Sequence, residues 1–198
     1  KINIIILSIL ALLIAVTYIY PIFVEYDKFG NIMDGTTKHL SPSAAIERLG
    51  FSIHWILGTG AAGQSTFDAV WFGSRISISL AFICAAINLT VGVIVGSIWG
   101  FSKKVDVFMQ EIYNILANIP YILLISVMIM LLKAGFWTMV LALTITGWLG
   151  IAYFIRTQVV IIRDREYNLA SRCLGTSTLK IAMKNILPFM TSVIVTLA

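Results

Sequence analysis

The chain has 198 residues, of which 59% are hydrophobic and only 12% charged, and its net charge is +5. A soluble domain carries about twice that share of charge. A disordered chain, an ordinary nucleic-acid binder and nearly every soluble enzyme are therefore excluded. The basic residues stand at the ends of apolar runs, which is how a membrane protein is oriented.

In chain order, Ile2 to Val24 is free of charge and long enough to cross a bilayer. It exceeds a signal-peptide apolar region, and no small-residue cleavage site follows it. The reading is a first transmembrane helix at 1–24. Residues 25–75 follow as an outer loop with turn-forming Gly30, Gly35, Pro42, Gly50, Gly58, Gly60 and Gly63. Phe67, Val70, Trp71 and Ser74 recur at helical spacing, predicting a short interfacial helix over 68–74. Further spans are predicted at 76–102, 107–132 and 134–155. A basic loop at 156–184 follows, and a further span begins at 185–198. Chain start at Lys1 and chain end inside an apolar run read as a piece of a longer protein.

Loop charge sets the orientation. Residues 24–70 are net acidic, with Glu25, Asp27, Asp34, Glu47 and Asp68 against Lys28, Lys38 and Arg48. Residues 156–184 are net basic, with Arg156, Arg163, Arg165, Arg172, Lys180 and Lys184 against Asp164 and Glu166. The second loop is then cytoplasmic and the first extracellular. Cys84 and Cys173 lie in different environments, and no disulfide is expected.

Several constellations carry chemistry on paper. Gly58 to Ser65 nearly fits the phosphate-binding loop pattern, but Gln64 stands where the lysine belongs and no strand precedes it. A glycine-rich turn is the better reading. His39 and His54 have no Cys or carboxylate at metal-ligand spacing, so neither a metal nor a cofactor is expected. Gly92, Gly96 and Gly100 form a small-residue seam for close helix packing. Glu111, Asn114 and Asn118 share a helix face ahead of Pro120 and are candidates for a translocation path. Asn88 is placed to bond a neighbouring helix.

The segment 164–188 is the most informative. Asp164 is expected to cap a first short helix, Gly175 to end it at positive φ, Thr176 or Ser177 to cap a second, and Pro188 to mark entry to the next span. This stretch resembles the EAA loop of ABC importer permeases, written E-A-A-x-x-x-G-x9-I-x-L-P. Ala170, Gly175, Leu187 and Pro188 match the pattern, while Leu169, Ser171 and Asn185 depart from its Glu, second Ala and Ile. The run Arg165-Glu166-Tyr-x-Leu-Ala-Ser-Arg172-x-Leu-Gly175 resembles the peptide-permease branch. So do His54-Trp-Ile-Leu-Gly-Thr59 and Gly73-Ser-Arg75-x-Ser77, although Gly60, Gln64 and Ser65 replace that branch's Asp, Arg and Asp. Phe67 to Gly73, Asn118-Ile-Pro120 and Glu166 to Arg172 are most similar to the Opp/Ami oligopeptide permeases of Gram-positive bacteria.

The resemblance implies an all-α polytopic protein of the type I importer permease fold, with six spans of which about four and a half are present. Residues 76–198 would be the permease core. It implies a transport subunit rather than an enzyme, carrying oligopeptides through the cell membrane. The implied partners are a second permease subunit, two cytoplasmic ATPases, an extracellular substrate-binding lipoprotein, the peptide substrate and the lipid bilayer, with no nucleic acid. Glu166, Leu169, Ala170, Ser171, Arg172, Gly175, Leu187 and Pro188 would form the ATPase-coupling loop. The alternatives are a permease of the same branch for dipeptides, nickel or metal chelates, and a channel or secondary transporter.

Overall fold

The computed structural model describes residues 2–24, 35–176, 178–181, 184–185, 188 and 191. Among them the protein is all-α, with one isolated bridge between Thr59 and Ser65 and no named strand. Three helices are long and apolar enough to cross a membrane: Asn3–Phe23, Thr66–Phe101 and Phe136–Arg163. A bent helix pair makes a fourth if it counts as one span. The chain divides into two compact units, Lys1–Ser79 and Leu80–Ala198.

In the first unit, α1 (Ile2–Phe23) carries no charge, and its Ser8 and Thr17 hydroxyls donate back to the carbonyls of Ile4 and Leu13. Back-bonding of this kind satisfies a hydroxyl without water, as a lipid-facing helix requires. Helix α2 (Pro42–Leu49) starts with Pro42 in its first turn behind Ser41, whose Oγ accepts from the Ala44 N–H. Gly50 ends it at φ +88°.

The glycine-rich stretch is a turn most of whose donors are already used. The Gly60 N–H donates to the Gln64 carbonyl, the Gly63 N–H to Gly60, and the Ala62 N–H to the Gln64 side chain. A phosphate-binding loop needs those N–H groups free. Ser65 then opens the next helix, its Oγ accepting from the Asp68 N–H at 3.1 Å.

That helix, α3, runs unbroken over Thr66–Phe101. The separate interfacial helix expected at 68–74 is its first two turns. Arg75, the charge that divided the two in sequence, interrupts nothing in a helix, because its long stem can carry the charge toward the interface.

In the second unit, α4 (Lys103–Ala117) and α5 (Tyr121–Leu132) replace the single span expected at 107–132, and the two meet at a 73° bend. Pro120 is the cause: it has no N–H for the helical ladder and disfavours helical geometry at Ile119. The Pro120 carbonyl then starts α5 by accepting from Leu123 and Leu124.

Helices α6 (Phe136–Thr144) and α7 (Trp148–Arg163) follow, joined by a short turn with helical angles at Ile145 and Gly147. The span expected at 134–155 thus continues to Arg163. The sequence boundary fell at Arg156, the first charge, but that charge is neutralised inside the fold. Helices α8 (Glu166–Cys173) and α9 (Thr178–Ile181) complete the described elements.

Candidate coupling loop and translocation surface

Arg165 bridges α7 and α8: its carbonyl accepts from the Asn168 and Leu169 N–H groups and so starts α8. Asp164, expected as the cap of this helix, is the C-cap of α7, and its carboxylate receives the Arg163 guanidinium at 3.0 and 3.1 Å. Glu166 lies in the first turn of α8, where a negative charge is favoured. At the other end Gly175 has φ +79°, and the Thr176 N–H reaches back to the Ser171 carbonyl at 3.0 Å. That bond closes the helix in the Schellman manner. The Ser171 hydroxyl donates to the Tyr167 carbonyl.

The open side of α8 carries a broken apolar ridge, interrupted by exposed Glu166 and Cys173. Tyr167, Leu169 and Leu174 are exposed, Leu174 to 85%, and Ala170 lies among them. The inner side is Asn168, which is completely buried. Glu166, Gly175 and Pro188 are exposed. Leu187 and the Arg172 side chain lie outside the described residues, as do Ser177 and the Leu179 side chain.

Beneath the loop is the core of the unit. Ile155, Val159 and Ile162 of α7 enclose Ile181 of α9, with Val93, Phe101 and Ile151 against them. Gly92, Gly96 and Gly100 line α3 where α7 crosses it. A Cβ at Gly92 would stand 2.7 Å from the Ile151 Cβ, and one at Gly100 would stand 2.7 Å from the Arg156 carbonyl. At Gly96 it would overlap the Ala152 carbonyl. Backbones this close exclude any side chain on α3 at these positions.

Two cations fix the same region. Arg156 pairs with Asp106 through two parallel bonds of 2.7 and 2.8 Å. Such a fork adds directional as well as Coulombic specificity. Arg163, buried on α7, donates to the Gly100 carbonyl at the end of α3 at 2.7 Å. Trp99, Tyr113 and Tyr153 stack beside the pair, with Arg156 over the Tyr153 ring. Sequence reading assigned Arg156 and Arg163 only to sidedness. The signal for their pairing, a lone Asp106 near the start of an amphipathic helix, is too weak to find without the fold.

Glu111, Asn114 and Asn118 lie on the exposed side of α4. Asn118 donates to the Asn114 carbonyl, and Asn114 Oδ1 accepts from Gln110 at 3.2 Å. Beside the bend is a cleft of about 210 Å³ lined by residues that include Tyr113, Ile119, Tyr121 and Thr146. Asn88 donates to the Leu143 carbonyl at 3.4 Å, and Tyr121 donates to the same oxygen at 3.0 Å.

The first unit holds a polar cluster that spacing concealed. Asp68 is buried at the start of α3, 2.8 Å from His54 Nδ1, and Tyr20 of α1 donates to the same carboxylate. Ser65 ties the His54 carbonyl at 2.7 Å. No carboxylate stood near His54 in sequence; the turn at 58–65 brings one. Among the described residues, no three His, Cys, Asp or Glu side chains converge as metal ligands would.

Residues 88–198 match the family described as binding-protein-dependent transport system inner membrane component. The chain belongs to this family. The match covers α4 to α9 and the α3–α7 seam. Among curated proteins, the chain is 46% identical to an oligopeptide transport system permease protein of Streptococcus pneumoniae, over 99% of this chain and 61% of that protein. It is 37% identical to a dipeptide transport system permease protein of Bacillus subtilis, over 77% of this chain and 45% of the relative. It is 35% identical to an oligopeptide transport system permease protein of the same species, over 96% and 60%. The chain therefore spans about half to three fifths of the length of these relatives.

Proposed function

We propose that this chain is part of a permease subunit of an ATP-binding cassette importer, and that it forms one half of a translocation path for oligopeptides. Family membership and the 46% identity to an oligopeptide permease support this reading. The observation that carries the coupling role is α8: a short helix with exposed apolar side chains, closed by Gly175, and bonded through Asn168 to the end of α7, whose core packs against α3 and α9. An ATPase groove that takes this ridge differently in its open and closed states would shift the spans between outward and inward access.

On this reading the partners are a second permease subunit, two cytoplasmic ATPases and an extracellular binding lipoprotein. The loop 164–184 is cytoplasmic and residues 35–65 are extracellular. The turn at 58–65 is then no nucleotide site, since the N–H groups of Gly58, Thr59, Gly60, Ala62 and Gly63 already have acceptors within the fold. The outer loop would instead meet the binding protein or the other permease. Glu111, Asn114 and Asn118 would face the path in the assembled transporter. The 37% identity to a dipeptide permease favours a second cargo reading, short peptides.

Purification of the intact transporter, followed by mass spectrometry of bound peptide and an uptake assay in proteoliposomes, tests both. ATP-dependent uptake of peptides of four residues or more supports the first reading. Uptake confined to dipeptides supports the second, and uptake of neither removes both.

A further inference from the structure

Asn168 is a polar residue with no exposure at all, on an eight-residue helix whose other side is largely open to solvent. A buried amide is tolerated only when both of its ends are satisfied. Here both are. Its Nδ2 donates to the Ile162 carbonyl at 2.7 Å, in the last turn of α7. Its Oδ1 accepts from Asn185 Nδ2 at 2.8 Å. The orientation of the amide follows from chemistry, because a backbone carbonyl only accepts, so the nitrogen must face Ile162 and the oxygen Asn185.

Asn185 is also one of the positions where the chain departs from the EAA pattern, which has Ile there. Asn185 is partly buried, so an Asn in place of that Ile needs a partner on its covered side. In this protein the departure has a partner in Asn168.

We infer that Asn168 and Asn185 are positioning residues for transport, a paired lock that holds the α8 ridge to two elements at once. One is the end of α7, and the other is the segment leading into the next span. A displacement of Tyr167, Leu169 and Leu174 is then passed to both through hydrogen bonds of fixed direction. Ile181, packed among Ile155, Val159 and Ile162, holds α9 to the same end of α7. The inference rests on the importer reading above.

The test uses the full-length chain in the complete transporter, reconstituted in proteoliposomes, with peptide uptake and ATP hydrolysis measured together. Asn168→Leu strands the Asn185 amide, and Asn185→Ile strands Asn168 Oδ1. In each single variant, ATP hydrolysis is expected to continue while peptide moved per ATP falls about fivefold or more. The double variant Asn168→Leu with Asn185→Ile replaces the polar pair by an apolar one and is expected to return the ratio to within about twofold of wild type. A purely structural role would lower both activities together and leave their ratio unchanged.

A single variant that fails to assemble is replaced by Asn168→Asp. This change keeps the volume and the acceptor for Asn185 and sets a carboxyl oxygen against the Ile162 carbonyl in place of the donor, so the tie to α7 is broken and the same fall is expected. Wild-type coupling in the assembled single variants overturns the lock, as does a double variant no better than the singles. If the wild-type complex moves no peptide, the importer reading fails and the lock falls with it. If the wild type imports and the variants keep its ratio, only the lock fails.

Discussion

Two glycines show how one missing β-carbon sets local structure by different means. At Gly175 a Cβ would meet nothing within 4 Å, so the demand is conformational and comes from φ +79°. A left-handed backbone costs an L-residue roughly 1–2 kcal/mol, and more with β-branching. Gly175→Val is expected to leave membrane insertion and peptide capture by the binding protein intact while abolishing ATP-driven uptake. Gly175→Asn, which tolerates positive φ, is expected to retain most of it. Uptake at the wild-type rate in the valine variant would remove α8 from the coupling role. At Gly96 the demand is steric, because the obstacle is the Ala152 backbone carbonyl, which cannot rotate away. Gly96→Val must part α3 from α7 and is expected to cost about 1–3 kcal/mol, read as a lower melting temperature of the purified protein. Gly150→Ala is the control, since a Cβ there enters open space.

Among the elements, α4 is the one whose position depends most on a polar contact. It is amphipathic, has no fully buried residue of its own, and is tied to α7 by the Asp106–Arg156 fork. Both side chains are about four fifths shielded from solvent, so the pair lies between the surface and interior cases. Hydrogen bonds to charged partners contribute about 1.5–3 kcal/mol. Arg156→Met is expected to destabilise the protein by an amount in that range, measured by denaturation in detergent. Asp106→Asn added to it is expected to cost far less than in the wild type, because the partner charge is already gone. Additive effects would mean that the fork does not hold α4. The first unit has a comparable tie in Tyr20, His54 and Asp68, which joins α1 and the outer turns to the start of α3.

Across the molecule, large apolar side chains face outward on α1 and α5, including Ile5, Ile22, Ile122, Leu131 and Met130. In water such a surface would aggregate. In a bilayer it faces lipid or another subunit, and the polar residues are the informative ones. Asn114 and Asn118 are exposed in the isolated chain, so their surroundings in the assembled transporter belong to lipid, a partner or a watery path. An amide facing lipid loses hydrogen bonds at a cost, which favours the path. With Cys84 and Cys173 removed, Asn118→Cys is expected to react with a small water-soluble thiol reagent in at least one nucleotide state. Unreactivity in every state would make it a packing position.

Composition and apolar run length by themselves determined the class of molecule, the location of α1 and the membrane part of α3, and local capping signals gave the order α8–Gly175–α9; the break between α4 and α5 was not read from them. What was read follows from rules that act within a few residues: the bilayer's thickness and the positive φ open to glycine. The tertiary structure alone decided what the charges do. Arg156 and Arg163 read as a loop in sequence and are helical in the fold, because Asp106 and the Gly100 carbonyl, each about fifty residues or more away along the chain, satisfy them. His54 looked isolated until the turn at 58–65 set Asp68 beside it. Asn168 read as an ordinary loop residue and Asn185 as the start of a further span, and the fold bonds the two, with Asn168 fully buried. A polar group's cost depends on which partner the fold brings to it, and no local pattern of residues carries that information.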